Sequence, residues 1–125
     1  FLDKNKEADL SCLIKLFLDA TFLILPTRFD CTPIVLCEAA SIGLPAIVSD
    51  TGGISSIITD EFNGLLMPYH SNGKDYAERI KKIVSDETKY QTMCVHSRNL
   101  YEEKFNWKKW ADTLFGKIKP LLNKN

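Results

Sequence analysis

Two acidic residues and two short loops hold the residues with the best chemistry in this sequence. Asp30 and Glu38 are separated by seven residues, within Phe29-Asp30-Cys31-Thr32-Pro33-Ile34-Val35-Leu36-Cys37-Glu38. Thr is a good helix N-cap and Pro is tolerated at the first helical position. Asp30 therefore falls in a loop, and Glu38 more than a turn inside the following helix. The amides of Ile34 and Val35 at the helix start are free, and the positive end of the macrodipole lies there. Such a terminus is an anion site that a pyrophosphate fits. Glu38 is flanked by Leu36, Cys37, Ala39 and Ala40, where a carboxylate is costly without a partner. Paired sugar hydroxyls are one such partner, as in α/β nucleotide sites. The second loop, Asp50-Thr51-Gly52-Gly53, lacks a Cβ on its last two residues, so its backbone can approach a ligand closely.

Each residue also has a plainer reading. Asp30 can be an ordinary helix-entry residue. Glu38 can pair with Arg28 or a lysine, and Gly52-Gly53 can be a turn and nothing more. Arg28 either offsets Asp30 or binds phosphate, and both readings stay open. His70 and His96 have no carboxylate or serine at a telling spacing, so surface or packing roles are expected. Trp107 and Trp110, three apart beside Phe105, read as core. Lys81, Lys82, Lys108, Lys109, Lys117 and Lys119 read as solvated faces, with a membrane surface as a lesser role. Cys12, Cys31, Cys37 and Cys94 form no CxxC pair, which argues against zinc and for reduced thiols.

The surrounding elements must bring these loops together. Glu7–Ala20 has apolar residues at helical spacing, and the run Thr21–Leu25 is too short for a helix and ends at Pro26. A helix is expected over Pro33–Ile42, stopped by Gly43 in the left-handed conformation. Strands are expected at Ala46–Ser49 and Gly64–Met67, with a short helix Ile54–Thr59 and an Asn63-Gly64 turn between them. Three further helices follow at Asp75–Ser85, Thr88–Lys104 and Trp107–Leu122. Alternating strands and helices imply a parallel, Rossmann-like α/β sheet of the doubly wound kind, flanked by helices. Continuous apolar strands imply that both faces are covered. Ligands then bind beyond the carboxyl ends of the strands, which collects Arg28, Asp30, Thr32 and Asp50 to Gly53 on one edge. Three strands are few for such a sheet, so the expected organisation is one truncated domain over residues 1–125.

Composition narrows the function classes. Lys plus Arg and Asp plus Glu are 16 each among 125 residues. That balance argues against nucleic acid as the partner. No apolar run reaches the roughly 18–20 residues of a bilayer span, and the charged stretch Phe1–Leu10 is not a signal peptide.

The stretch Leu25–Pro68 resembles the signature of family 4, or group 1, glycosyltransferases with the GT-B fold. That signature is an acidic residue, seven residues, a Glu, then A-x-x-x-G-x-P, a GG loop and an NG turn. Here the matching residues are Asp30, Glu38, Ala39, Gly43, Pro45, Gly52-Gly53 and Asn63-Gly64. Ser97–Trp110 is similar to the terminal helices of the same group, so the resemblance covers nearly the whole chain.

The resemblance implies a hexosyltransferase parent. It would move a sugar from a nucleotide-sugar donor to a glycan or lipid-linked acceptor, with retention at the anomeric carbon. It implies that Asp30 contacts the donor sugar as the catalytic acidic residue and that Glu38 holds the donor ribose. Thr32, Pro33, Ile34 and Val35 would approach sugar and pyrophosphate, with Gly52 and Gly53 completing the donor site. No metal or cofactor is implied, since no DxD motif is present. The implied partners are the nucleotide-sugar and the family's N-terminal acceptor domain. The implied location is the cytoplasm, with peripheral membrane association of the parent at the inner face. The family's first acidic residue is commonly Glu; Asp30 is one methylene shorter, which leaves donor identity open. The acceptor domain and the early diphosphate-binding segment of the family have no counterpart here, so weak donor binding and no turnover are expected of the chain alone. The alternatives are a non-catalytic nucleotide- or sugar-binding module and another GT-B enzyme, such as a sugar-nucleotide epimerase or a glycan phosphorylase.

Overall fold

Ala46-Ile47-Val48-Ser49 is buried along its whole length. A computed structural model, which describes residues 2–122, places this strand at the centre of a three-stranded sheet. Residues 1 and 123–125 of the single expected domain lie outside the described residues. The strands are β1 (Leu23–Leu25), β2 (Ala46–Ser49) and β3 (Gly64–Met67), in the order β1-β2-β3. Both pairings are parallel, with Leu25 opposite Val48 and Ser49 opposite Met67. Five helices accompany them: α1 (Glu7–Asp19), α2 (Ile34–Ala40), α3 (Gly73–Val84), α4 (Glu87–Glu103) and α5 (Trp107–Leu122).

Successive strand residues point to opposite faces, and the apolar side chains divide accordingly. Ala46 and Val48 pack with Leu36 of α2 and with Ile54, Ile57 and Ile58. Ile47, Leu65 and Met67 pack on the other face with Tyr76 and Ile83 of α3 and Met93 of α4. The α/β class and the parallel sheet expected from the sequence are thus present.

Several boundaries differ from expectation, each for a local reason. Pro33 is not the first helical residue: its ψ of 120° is extended and it occupies the N-cap position of α2. Thr32 then lies one residue too early to cap, and no side chain caps this helix. Gly43 does take the left-handed conformation, at φ +77°. The helix expected over Ile54–Thr59 is a single 3-10 turn, Ile54–Ser56. Buried Asn63 competes for the backbone there: its side chain donates to the Ile57 carbonyl at 3.0 Å and accepts from the Thr59 amide at 2.7 Å. Helix α3 begins two residues before Asp75 because Asn72 and Asp75 form a reciprocal capping box. Trp107 and Trp110 are not core; they are 73% and 57% exposed. They stack edge to face on each other, with centroids 5.9 Å apart, and α5 buries no residue.

The two loops at the carboxyl edge lie against each other backbone to backbone. Gly52 has φ +56°, and a Cβ built on it would stand 1.8 Å from the Asp30 carbonyl oxygen. On Gly53 it would stand 2.3 Å from the Cys31 carbonyl oxygen. The Thr51 hydroxyl donates to the Arg28 carbonyl at 3.3 Å. Both glycines are therefore required by the packing of one loop on the other.

Ion pairs fasten the start of β3 to α3 and α4. Arg79 grips both oxygens of Asp60, at 2.6 and 2.7 Å, and Asp60 also accepts from the Leu66 amide. Glu61, left-handed at φ 57°, pairs with Arg79, Lys82 and Lys89. The hydrogen bond from Lys89, reinforced by the lysine charges, holds its carboxyl below the usual carboxylate range.

Gly52→Ala should lower stability in urea unfolding by more than about 2 kcal/mol, since left-handed strain adds to a backbone clash; Gly73→Ala, which meets nothing within 4 Å, should change it by less than about 1 kcal/mol. Glu61→Gln should cost about 0.5–1 kcal/mol at pH 7. Because the folded carboxyl titrates below its unfolded value near about 4.3, that contribution is complete above this value and lost as pH falls through the lower folded one. The two proteins should therefore converge in stability at acid pH.

Candidate functional site

The parallel register makes β1 and β2 end on the same edge, and each feeds one loop of the site. Pro26 ends β1, and the chain then crosses the edge as Thr27 to Thr32 before entering α2. Ser49 ends β2, and Asp50 to Gly53 lean on that first loop through the glycine contacts. The Thr27 hydroxyl donates to the Phe29 carbonyl at 3.1 Å and tightens the turn.

Asp30 sits in this loop pair, half-buried, and among the described residues its carboxylate has no hydrogen-bond or ion-pair partner. The amides of Ile34 and Val35 also have no acceptor among the described residues; the first amide used is that of Leu36, which donates to the Pro33 carbonyl at 3.1 Å. The free carboxylate thus lies four residues before the first of the free helix-start amides, on the loop that leads into α2. The carboxylate can accept from hydroxyls and the amides can donate to an anion.

Glu38 lies one turn beyond Ile34 on the same face of α2. It faces a groove of about 270 Å³ between α1, α2 and the α4–α5 junction, which Ile34, Leu10, Phe105 and Trp107 also line. Its Oε1 is 2.5 Å from Lys4 Nζ, and both side chains are open to solvent. Lys4 is 34 positions away and carried no signal in the sequence; the generic expectation of a lysine partner is met, and Arg28 is not that partner. An exposed pair of this kind is worth little, so ligand hydroxyls can replace it at small cost. Burial and the Glu38 charge push the thiol of neighbouring Cys37 up.

The structure brings Asp30, Thr32, Gly52 and Gly53 together, with Thr32 Cγ2 lying 3.6 Å from where a Gly53 Cβ would be. Asp30 and Glu38 do not share one cavity; Thr32 to Val35 is the stretch that connects them. Gly52 and Gly53 are occupied by loop packing, which is the structural reading weighed for them at the outset. Buried Pro33 closes the loop from beneath, and exposed Thr32 and Ile34 and half-buried Val35 remain accessible. Among the described residues no group of three or more His, Cys, Asp or Glu could hold a metal ion. No helix among them is long and apolar enough to cross a membrane.

Several known proteins are similar to this chain in sequence or fold. The family profile described as "Glycosyl transferases group 1" matches residues 6–100. Spore coat protein SA of Bacillus subtilis (strain 168) is 36% identical over 77 residues, 62% of this chain and 20% of that protein. A D-inositol 3-phosphate glycosyltransferase of Saccharomonospora viridis is 26% identical over 104 residues, 82% of this chain and 23% of that protein. The chain therefore spans about a fifth to a quarter of these curated relatives. Among solved structures, the fold is similar to sucrose-phosphate synthase from Thermosynechococcus elongatus, with a TM-score of 0.79, 24% identity, and coverage of 91% of this chain and 28% of that one. Anabaena HepE, solved in complex with UDP-glucose, gives a TM-score of 0.72 at 18% identity, covering 89% of this chain and 29% of that one. The fold, the ordered motif from Asp30 to Asn63-Gly64 and the family match agree: the chain belongs to the group 1 glycosyltransferases.

Proposed function

We propose that this chain is the donor-binding part of a retaining glycosyltransferase that takes a nucleotide-diphospho-sugar as donor. The observation that carries the reading is the unpartnered, half-buried Asp30 beside the free Ile34 and Val35 amides, one helix turn from Glu38. In this reading Asp30 meets the hydroxyls of the donor sugar near the anomeric carbon. The α2 amides and the loop Thr32-Pro33 approach the sugar and pyrophosphate. Glu38 exchanges Lys4 for the two ribose hydroxyls. Gly52 and Gly53 serve by holding the Asp30 carbonyl in place. The reading assigns no metal or cofactor to the chain's own residues. A structural neighbour solved with UDP-glucose supports a nucleotide-sugar as the ligand class.

The acceptor side of the reaction is assigned to the rest of the parent protein, as is closure of the cleft that chemistry requires. The acceptor in this reading is a glycan or a lipid-linked acceptor. For the parent we propose the cytoplasm as the place of work, with peripheral contact at the inner membrane face. Exposed Trp107 and Trp110 beside Lys108 and Lys109 on α5 support that contact.

Titration of the isotopically labelled chain with UDP-, GDP- and ADP-sugars, followed through backbone amide shifts, tests the assignment. Shifts should cluster at Asp30–Val35, Glu38 and Thr51–Gly53 for one preferred base, with no sugar turnover by the chain alone. Glu38→Gln should weaken binding about tenfold or more, the loss expected for a hydrogen-bonded carboxylate. Silence of both loops toward every nucleotide-sugar at millimolar concentration would count against the reading.

A further inference from the structure

A second cleft opens at the same sheet edge, on the α3 side of the sheet. Its volume is about 440 Å³, and it lies across the ends of all three strands. Thr27 and Arg28 come from the loop after β1, Ser49 from the end of β2, His70 and Ser71 from the loop after β3, and Tyr76 from α3. Asp30, Glu38, Gly52 and Gly53 take no part in it.

Its chemistry is one-sided. Two of the lining residues, Arg28 and His70, can carry positive charge, five carry hydroxyls, and none is a carboxylate. Arg28 has no ion-pair or hydrogen-bond partner for its guanidinium among the described residues. The floor is a hydrogen bond between Ser49 Oγ and Tyr76 Oη, 3.1 Å long. Ser49 is 5% and Tyr76 9% exposed. Two hydroxyls carry two hydrogens, and their mutual bond uses one. Among the described residues the second hydrogen has no acceptor, although a buried donor normally has one. A cleft with a free guanidinium, an imidazole and a buried unspent O–H fits a ligand that brings negative charge and several acceptor oxygens. Arg is suited to phosphate through its planar fork of donors.

We propose that this cleft is a phosphoryl-binding site, in which Arg28 and His70 meet the anion from the rim and the Ser49–Tyr76 pair donates its unspent hydrogen from the floor. This cleft shares the loop after β1 with the donor site but none of the residues assigned to the donor, and it does not rest on the donor reading. It resolves the two readings of Arg28 in favour of phosphate and gives His70 a role that its isolated place in the sequence did not signal.

The test is an amide-shift titration of the chain with inorganic phosphate, with glucose 6-phosphate as a phosphomonoester, and with chloride at matched ionic strength. Phosphate and the ester should each produce saturable shifts at Arg28, Ser49, Ser71 and the His70 ring that chloride does not. Tighter binding of the ester would place part of its sugar in the cleft, and equal binding would make the phosphoryl group the whole ligand. Arg28→Gln, at an exposed position, should weaken phosphate binding tenfold or more, and Ser49→Ala several-fold, with the dispersed spectrum of the folded chain retained. No saturable shift beyond chloride at tens of millimolar phosphate, or unchanged affinity in Arg28→Gln, would overturn the proposal. UDP added in parallel reports on Cys31–Val35, so failure there bears on the donor reading and leaves the phosphate result standing.

Discussion

The carbonyl oxygen of Asp30 occupies the space that a side chain on Gly52 would need. Almost everything at the carboxyl edge depends on that contact. With Gly52 and Gly53 in place, the loop after β2 lies directly on the loop after β1. Backbone contact at van der Waals range leaves Asp30 little freedom. Its side chain is half-buried in the loop that leads into the unused amides at the start of α2. A single methyl group at position 52 would force the loops apart and move the acidic residue with them. In the proposed donor reading the glycine pair acts on the ligand through Asp30.

The sheet below makes this contact possible. Two parallel pairings with matched strand ends deliver three loops to one edge, and two apolar layers pack the strands between α2 on one side and α3 and α4 on the other. The ion network around Asp60, Glu61 and Arg79 fixes the start of β3 at the opposite end from the ligand loops. One edge thus carries binding groups, and the charged fastening is kept away from them. The two proposed ligand regions share this edge, one on each side of the sheet: the Asp30–Glu38 stretch toward α1 and α2, and the Arg28–His70 cleft toward α3.

Much of this was legible in the sequence because it is local. Apolar runs of strand length, Pro26 and Gly43 as stops, and the spacing from Asp30 to Glu38 gave the α/β class, the two loops and the acidic pair. Features set by distant residues were not legible. Nothing in the order of residues connects Lys4 to Glu38, or Arg28 to His70 and Tyr76. Asn63 shortened the helix expected at Ile54–Thr59 by competing for its backbone groups, and Pro33 adopted an extended ψ that moved the start of α2 past Thr32. Trp107 and Trp110 read as core from their type and spacing, but the helix that bears them lies outside both apolar layers. Periodicity reports that a helix has an apolar face; it does not report what covers that face.

The most direct measurement of the central claim is a crystal structure of the chain with UDP-glucose bound. The glucose should lie within hydrogen-bond distance of the Asp30 carboxylate and the ribose hydroxyls on Glu38 with Lys4 displaced, with the Gly52–Asp30 contact unchanged. A nucleotide held elsewhere, with Asp30 free and Glu38 still paired to Lys4, would contradict that claim.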